Sequence, residues 1–342
     1  MAAIKSYKGF DKNLKCRGFQ YEIGKEYEMD GEIKVCSRGF HACESPLEVF
    51  DHYSMIGSRF CEVEQDGNIS KEDRGTKICS SKIKIKAELK LDNMINLGVE
   101  WLKDITSPEK IKTSIKDNSS GDGAKIGSSG NYAQIGSSGD GAQIGSSGYY
   151  AKIGSSGDGA QIGSSGYNAQ IGSSGDGAKI GSSGNYAKIG SSGYNAQIGS
   201  SGDGAQIGSS GNYAQIGSSG DDAKIGSSGD YAQIGSSGDD AKIGSSGDDA
   251  KIGSSGDYAK IGSSGDDAKI DSTGEGCVIM CAGINSVAKA SKGSWITLSE
   301  WSYSDKKQRY IPVCVKTEFV DGEKIKADTY YKLAGGVFKE IQ

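Results

Sequence analysis

The residue types able to do chemistry lie in two unlike settings. Near the N-terminus, "VCSRGFHAC" places Cys36, His41 and Cys43 in one short stretch, with Cys16 of "KCRGF" as a fourth candidate ligand. Thiolates and an imidazole are zinc donors, but this spacing matches no standard zinc box, so the group is read as a core cluster and no metal is expected. A Cys–His nucleophile pair needs a geometry that adjacency on a short strand does not supply. His41 and His52 are the only histidines, which leaves few general bases of that type.

The second setting is a nonapeptide that dominates residues 121–270, where carboxylates and phenols recur at fixed intervals inside G-S-S-G punctuation. "GSSGDDAKI" at Gly244 looks like a calcium-binding β-roll repeat, yet the slot that should be apolar holds Lys251, and Tyr132, Gly141 or Asn168 stands where an acid is needed. The glycines lack the Lys-Ser/Thr and helix of a phosphate-binding loop. No cofactor is expected, and the chain reads as a non-enzyme.

What must position these groups is the repeat itself. Seventeen isoleucines, Ile126 to Ile270, stand on a nine-residue comb, each with Ala two positions before it and Lys or Gln between. Such a triplet is a short strand with two side chains in and one out, and the first Ser of G-S-S-G continues the inward alternation. One unit buries little, so the units must stack: the comb predicts a β-solenoid of the β-roll or β-helix kind. Tyr132, Tyr150, Tyr167 and Tyr186 fall in alternate repeats, with Asp-Gly pairs between them. That alternation predicts two nonapeptides per coil, a tyrosine face opposite an Asp-Gly face, and eight or nine coils making a rod about 40 Å long. The phase slips at Tyr194-Asn195 and again at Asp248-Asp249.

Around the rod the sequence is ordinary. We divide it into an α+β head (1–95), a helical connector (96–120) that closes the open end of the rod, the solenoid (121–282) and a β-rich C-terminal domain (283–342). In "KICSSKIKIKAELKL" the residues Ile83, Ile85, Ala87 and Leu89 read as one side of a strand, and "LDNMINLGVEWLKDI" spaces Met94, Leu97, Trp101 and Ile105 as a helix with Asp92 as its cap. Asp321-Gly322 and Gly335-Gly336 read as hairpin turns. The fold class is therefore mainly β.

Composition narrows the partners. The 54 glycines against 3 prolines are periodic, which argues for order instead of a linker. A net charge of −5 carries no basic footprint for nucleic acid, and no apolar run is long enough for a membrane span. "MAAIKSYKGF" has no signal-peptide core, so the protein is expected in the cytoplasm with its eight cysteines reduced. Residues 121–270 hold 15 Asp against 9 Lys, and acidity rises toward the C-terminal half of the rod. The candidate binding residues are Tyr132, Tyr150, Tyr167, Tyr186, Tyr213 and Tyr231, with Asp221, Asp222, Asp239 and Asp240. The tyrosines read either as a binding or homo-oligomerising face or as a ladder that supports itself. The aspartates read either as a mimic of nucleic-acid charge or as solvated turn residues.

"YKGFDKNLKCRGFQYEIGKEYE" and "KVCSRGFHACESPLEVFDHY", followed by "GDYAQIGSSG" arrays and a tail with "GSWITLSEW" and "VDGEKIKADTYYKL", resemble a family of phage and prophage proteins from gut Gram-positive bacteria. The resemblance spans nearly the whole chain. It implies a phage origin and brings no activity or functional residue with it. "AQIGSSG" is also similar to the repeats of trimeric adhesin heads, which are β-rolls; only that architecture is implied. The expected function is a non-enzymatic interaction protein acting in the infected host cell, as an inhibitor or decoy of a host defence system, with a protein partner from host or phage. A virion spacer and a nucleotide-acting enzyme in the head are the alternatives.

Overall fold

The computed structural model describes residues 3–35, 37–55, 57–71, 76–105 and 121–341. Cys36 and the second half of the predicted connector lie outside them.

The head is β-rich. Its strands are β1 (Ile4–Phe10), β2 (Lys15–Cys16), β3 (Phe19–Gln20), β4 (Glu26–Glu28), β5 (Phe40–Cys43), β6 (Arg59–Lys71) and β7 (Lys77–Leu89), with a 3₁₀ turn at Leu47–Asp51. The main sheet runs β4-β7-β5-β1-β6, antiparallel throughout, and β6 also pairs with β7, so four strands close on themselves around Phe10, Cys61, Val63, Ile83 and Ile85. The predicted alternation of β7 holds through Ile85 and then breaks. Glu62 faces Ala87 while Val63 faces Ile85, so Lys86 is an extra residue, and beyond this bulge Ala87 is exposed.

Helix α1 (Leu91–Ile105) follows directly. Asp92 is not its cap: the side chain of Asn93 instead accepts a 3.4 Å bond from the Lys90 N–H, the reach-back half of a capping box. Nor does the helix close an end of the rod. It lies flat against one flank, because it carries two apolar stripes where the sequence reading saw one. Met94, Leu97 and Trp101 pack into the head. Leu91, Ile95, Val99 and Leu102 meet the solenoid.

The solenoid has 18 residues per coil. Residue i pairs with i+18 in parallel register, as Ile144 with Ile162 and Ile153 with Ile171. Two stacks of ten parallel strands result, and the stacking continues past residue 282 through Val287–Ala290 on one sheet and Trp295–Leu298 on the other. Ten coils at about 4.8 Å make a rod of about 45 Å, slightly longer than the repeat alone predicts. The inward Ala and Ile columns of both sheets form one continuous apolar core, with the first Ser of each G-S-S-G beside them.

Both sheets end in antiparallel hairpins. Trp295–Ser304 with Arg309–Phe319 extends one sheet, and Tyr330–Ala334 with Val337–Ile341 extends the other through the Ala288–Tyr331 pair. Val320, Ile325, Tyr331 and Leu333 cover the end of the apolar core. Gly335-Gly336 is the hairpin turn of the second pair. Asp321-Gly322 is instead a crossing between sheets, where the Asp321 carboxylate accepts the N–H groups of Glu323, Lys324 and Ile325. The chain thus switches partner strands at a turn that the dipeptide alone reads as a hairpin.

Candidate functional site

The corners of the coil explain the variable pair. Each repeat reads G-x-y-A-(K/Q)-I-G-S-S, and the y residue is left-handed: Tyr132, Tyr150, Tyr186, Tyr213 and Tyr231 have φ of 57° to 59°, and Gly123 and Gly141 occupy the same slot. This conformation costs an ordinary residue about 1–2 kcal/mol, which is why Gly, Asn and Asp fill many of the remaining y slots. The x residue has a different task. Where it is Asp or Asn, its Oδ1 accepts the backbone N–H of the x residue one coil on, as Asp221 does from Asp239 at 2.9 Å and Asp239 from Asp257 at 2.8 Å.

Of the candidate acidic residues, Asp221 and Asp239 are thus rungs of this ladder. Asp222 and Asp240 sit in the left-handed slot at φ of 56° and 54°. Both pairs carry a backbone reason for being acidic.

The tyrosines do not share one face. Tyr132, Tyr150, Tyr167 and Tyr186 line the corner that leads into the sheet containing Gln134–Ser137, and the four candidate aspartates continue that same corner. Tyr213 and Tyr231 line the opposite corner, joined by Tyr194. The phase slip at Tyr194-Asn195 moves the row across the rod, so the predicted opposition of a tyrosine face and an Asp-Gly face holds only for the first half. Within each row the rings support one another: Tyr132 and Tyr150 stack at 5.2 Å, Tyr213 and Tyr231 at 4.8 Å, and Tyr167 meets Tyr186 edge-on at 5.4 Å. Such a contact gains about 0.5–1.5 kcal/mol. That roughly cancels the left-handed cost, so the row is close to neutral for stability while its rings stay 41–69 % exposed.

A feature that the tyrosine pattern does not announce lies on the flat faces. The strand K/Q-I-G-S points Lys or Gln and Gly outward, so each sheet carries a column of glycines beside a column of long polar side chains. On the sheet containing Lys125–Ser128, this track is occupied by α1. Leu102 sits over Gly163, Val99 and Ile95 over Gly181, Ile95 over Gly199 and Leu91 over Gly217, and an added Cβ at Gly163, Gly199 or Gly217 would crowd them. The flanking column there is mostly Gln, which bonds to the head: Gln161 donates to Glu48 Oε1 at 2.9 Å, Gln197 to the Phe50 carbonyl at 3.0 Å, and Gln233 accepts from Ser54 at 2.9 Å. Lys179, the exception under the head, pairs with Asp51.

The other sheet has the same track, and no described residue sits on it. A Cβ at Gly154, Gly172, Gly190, Gly208 or Gly226 would meet no atom within 4 Å, and none of these glycines needs a left-handed φ. The track forms an open groove of about 1150 Å³ between Gln134 and Lys242. Its flanking column alternates Gln134, Gln170 and Gln206 with Lys152, Lys188 and Lys224 and continues with Lys242 and Lys260; these lysines are all exposed and without an ion pair among the described residues. Glycine in a strand interior costs roughly 0.5–1 kcal/mol relative to alanine. Packing among the described residues therefore gives no reason for glycine in this column.

The head has a concavity of its own. A cleft of about 950 Å³ is lined by Lys8, Cys16, Arg17, Phe19, Tyr21 and His41, among others. The structure thus brings Cys16, His41 and Cys43 to one cleft, but among the described residues no three His, Cys, Asp or Glu side chains are grouped to hold a metal. Cys16 Sγ lies 2.9 Å from the Tyr53 hydroxyl, and burial pushes the Cys43 thiol up to about 12, where it is no nucleophile. Lys8, which the sequence reading passed over, is buried with its Nζ donating to the His41 carbonyl at 2.8 Å.

Fold and surfaces together define a β-solenoid repeat protein whose head is clasped onto one flank of the rod. Residues 4–97, the head and the first half of α1, match the family described as "Domain of unknown function (DUF7666)". Neither the curated proteins nor the solved structures compared with the chain gave a significant match. No helix among the described residues is long and apolar enough to cross a membrane.

Proposed function

We propose that the chain is a non-enzymatic interaction protein whose bare sheet receives an amphipathic helix of a protein partner. One observation carries this reading: the same glycine track occurs on both sheets, and on one of them it already holds a helix. α1 is the template for the guest, with apolar side chains at spacings of four, four and three seated over successive glycines. The exchange of mostly Gln for mostly Lys in the flanking column argues that the guest carries carboxylates on that side. The sequence resemblance supplies the setting, a phage protein acting on a component of the infected bacterium, with inhibition or sequestration of a defence protein as the role such a rod would serve.

The test is a quantitative pull-down from lysate of such a host, comparing the intact protein with a Gly154→Val, Gly190→Val, Gly226→Val variant. An added Cβ meets no described atom at these sites, so the variant should keep its fold, which far-ultraviolet circular dichroism checks. A partner kept by the intact protein and lost by the variant supports the bare groove as its seat. Equal retention moves the contact to the tyrosine corners, the acidic corner or the head. If neither form retains a partner but the protein copurifies with phage particles, the rod is a structural spacer.

A further inference from the structure

We propose that the cleft of the head binds a small aromatic anion, a ring bearing a carboxylate or a phosphate. Lys8 would supply the counter-charge, and Phe19, Tyr21 and Tyr27 the ring contacts. The site lies apart from the solenoid groove and does not depend on that groove's role.

The charge comes first. Lys8 is 5 % exposed, and its ammonium has no carboxylate partner among the described residues. It makes a bond to the His41 carbonyl and a side-chain hydrogen bond with Cys16, and lies 5.5 Å from the ring centre of Phe10 and 5.9 Å from that of Tyr21. A buried ammonium left without a counter-ion is costly unless something compensates it. Burial lowers its pKa from the ordinary lysine value, as expected for a charge not fully compensated. The acids nearest the cleft have other tasks or lie at its rim: Glu28 pairs with Lys82, Asp51 pairs with Lys179, and Glu26 is exposed. An entering anion would meet Lys8 from within and Arg17 from the mouth.

The ring contacts are fixed by local backbone. Arg17 and Gly18 both have positive φ, 50° and 81°, which makes β2–β3 a two-residue hairpin of the type that matches strand twist. This hairpin holds Phe19 against Tyr21 at 4.8 Å and Tyr27 at 5.4 Å, yet leaves it 49 % exposed. A cleft with an aromatic wall and a few convergent polar groups is the usual form of a small-ligand site.

Calorimetric titration of the full chain with benzoate, phenyl phosphate and inorganic phosphate tests the assignment. At least one ring-bearing anion should bind at one site per chain, roughly tenfold or more tighter than inorganic phosphate. Preference for benzoate points to an aromatic carboxylate, and preference for phenyl phosphate to a phosphate ester. Lys8→Met should weaken the ring-bearing probe at least about tenfold. Phe19→Ser, at an exposed position that keeps the fold, should weaken the same probe while leaving inorganic phosphate unchanged. Absence of binding to the intact protein overturns the proposal, as does undiminished binding by folded Lys8→Met or by Phe19→Ser.

Discussion

The two sheets of the rod are built from the same nonapeptide and have different fates. One glycine track is filled by Leu91, Ile95, Val99 and Leu102 and flanked mostly by Gln that bonds to the head; among the described residues nothing sits on the other, and the lysines beside it have no ion pair. The contrast teaches that the repeat specifies a slot, and that only what lies outside the repeat decides which slot is used. It also sorts the glycines. Those before the x-y pair are there because coils touch: a Cβ at Gly157 would overlap the carbonyl group of Gly139 one coil back. Those of the covered track are there because a helix sits on them. Those of the bare track have no such partner among the described residues.

The sorting can be broken by substitution. Gly157→Val should be the most damaging change, destabilising the rod by about 3 kcal/mol or more, since backbone cannot move aside without separating coils; denaturant unfolding measures it. The sharper comparison is Gly199→Val against Gly190→Val. The first must displace Ile95 and should cost about 1–3 kcal/mol, with faster amide exchange in α1. The second should leave stability unchanged or raise it by about 0.5–1 kcal/mol. A bare-sheet variant as damaged as the covered one would end the distinction between the two faces. Asp239→Ala removes the acceptor of the Asp257 N–H and should cost about 1 kcal/mol, whereas Tyr213→Gly exchanges a ring stack for relief of a left-handed residue and should change stability by less than about 1 kcal/mol.

Acid provides the mildest perturbation, directed at the C-terminal cap. The N–H groups of Gly336 and Gly335 hold the Glu300 carboxyl below its ordinary range, and those of Glu323, Ile325 and Lys324 do the same for Asp321. A depressed folded pKa means stabilisation that is present above the unfolded value and lost as pH falls through the folded one. The cap should therefore loosen below about pH 4 while the Ile and Ala core, which carries no titrating group, holds. Near-ultraviolet circular dichroism of Trp295 and Trp301 against far-ultraviolet signal from the rod separates the two events.

The legibility of the parts follows the range of the forces that shape them. The Ile comb and the alternating pairs give the coil, because burial of one apolar face repeats locally with the sequence. The left-handed y slot is also legible, since Gly, Asn and Asp share it with Tyr, and conformation limits the choice there more than recognition does. The x ladder was not readable: the 18-residue coil brings successive x residues together, but whether Oδ1 turns to the next backbone N–H or to water is set by the geometry of the corner. The same holds for Lys8, an ordinary residue in "SYKGF" until β2, β5 and the ring of Tyr21 close over it.

By itself, then, the sequence determined a two-nonapeptide β-solenoid with its core columns and outward Lys or Gln, because those follow from short-range periodicity. Tertiary structure alone decided that α1 lies along a flank of the rod, that it also packs into the head, and which of two equivalent tracks it fills. These depend on contacts between residues roughly 60–130 positions apart, such as Leu102 over Gly163 and Asp51 with Lys179, and no local pattern encodes them.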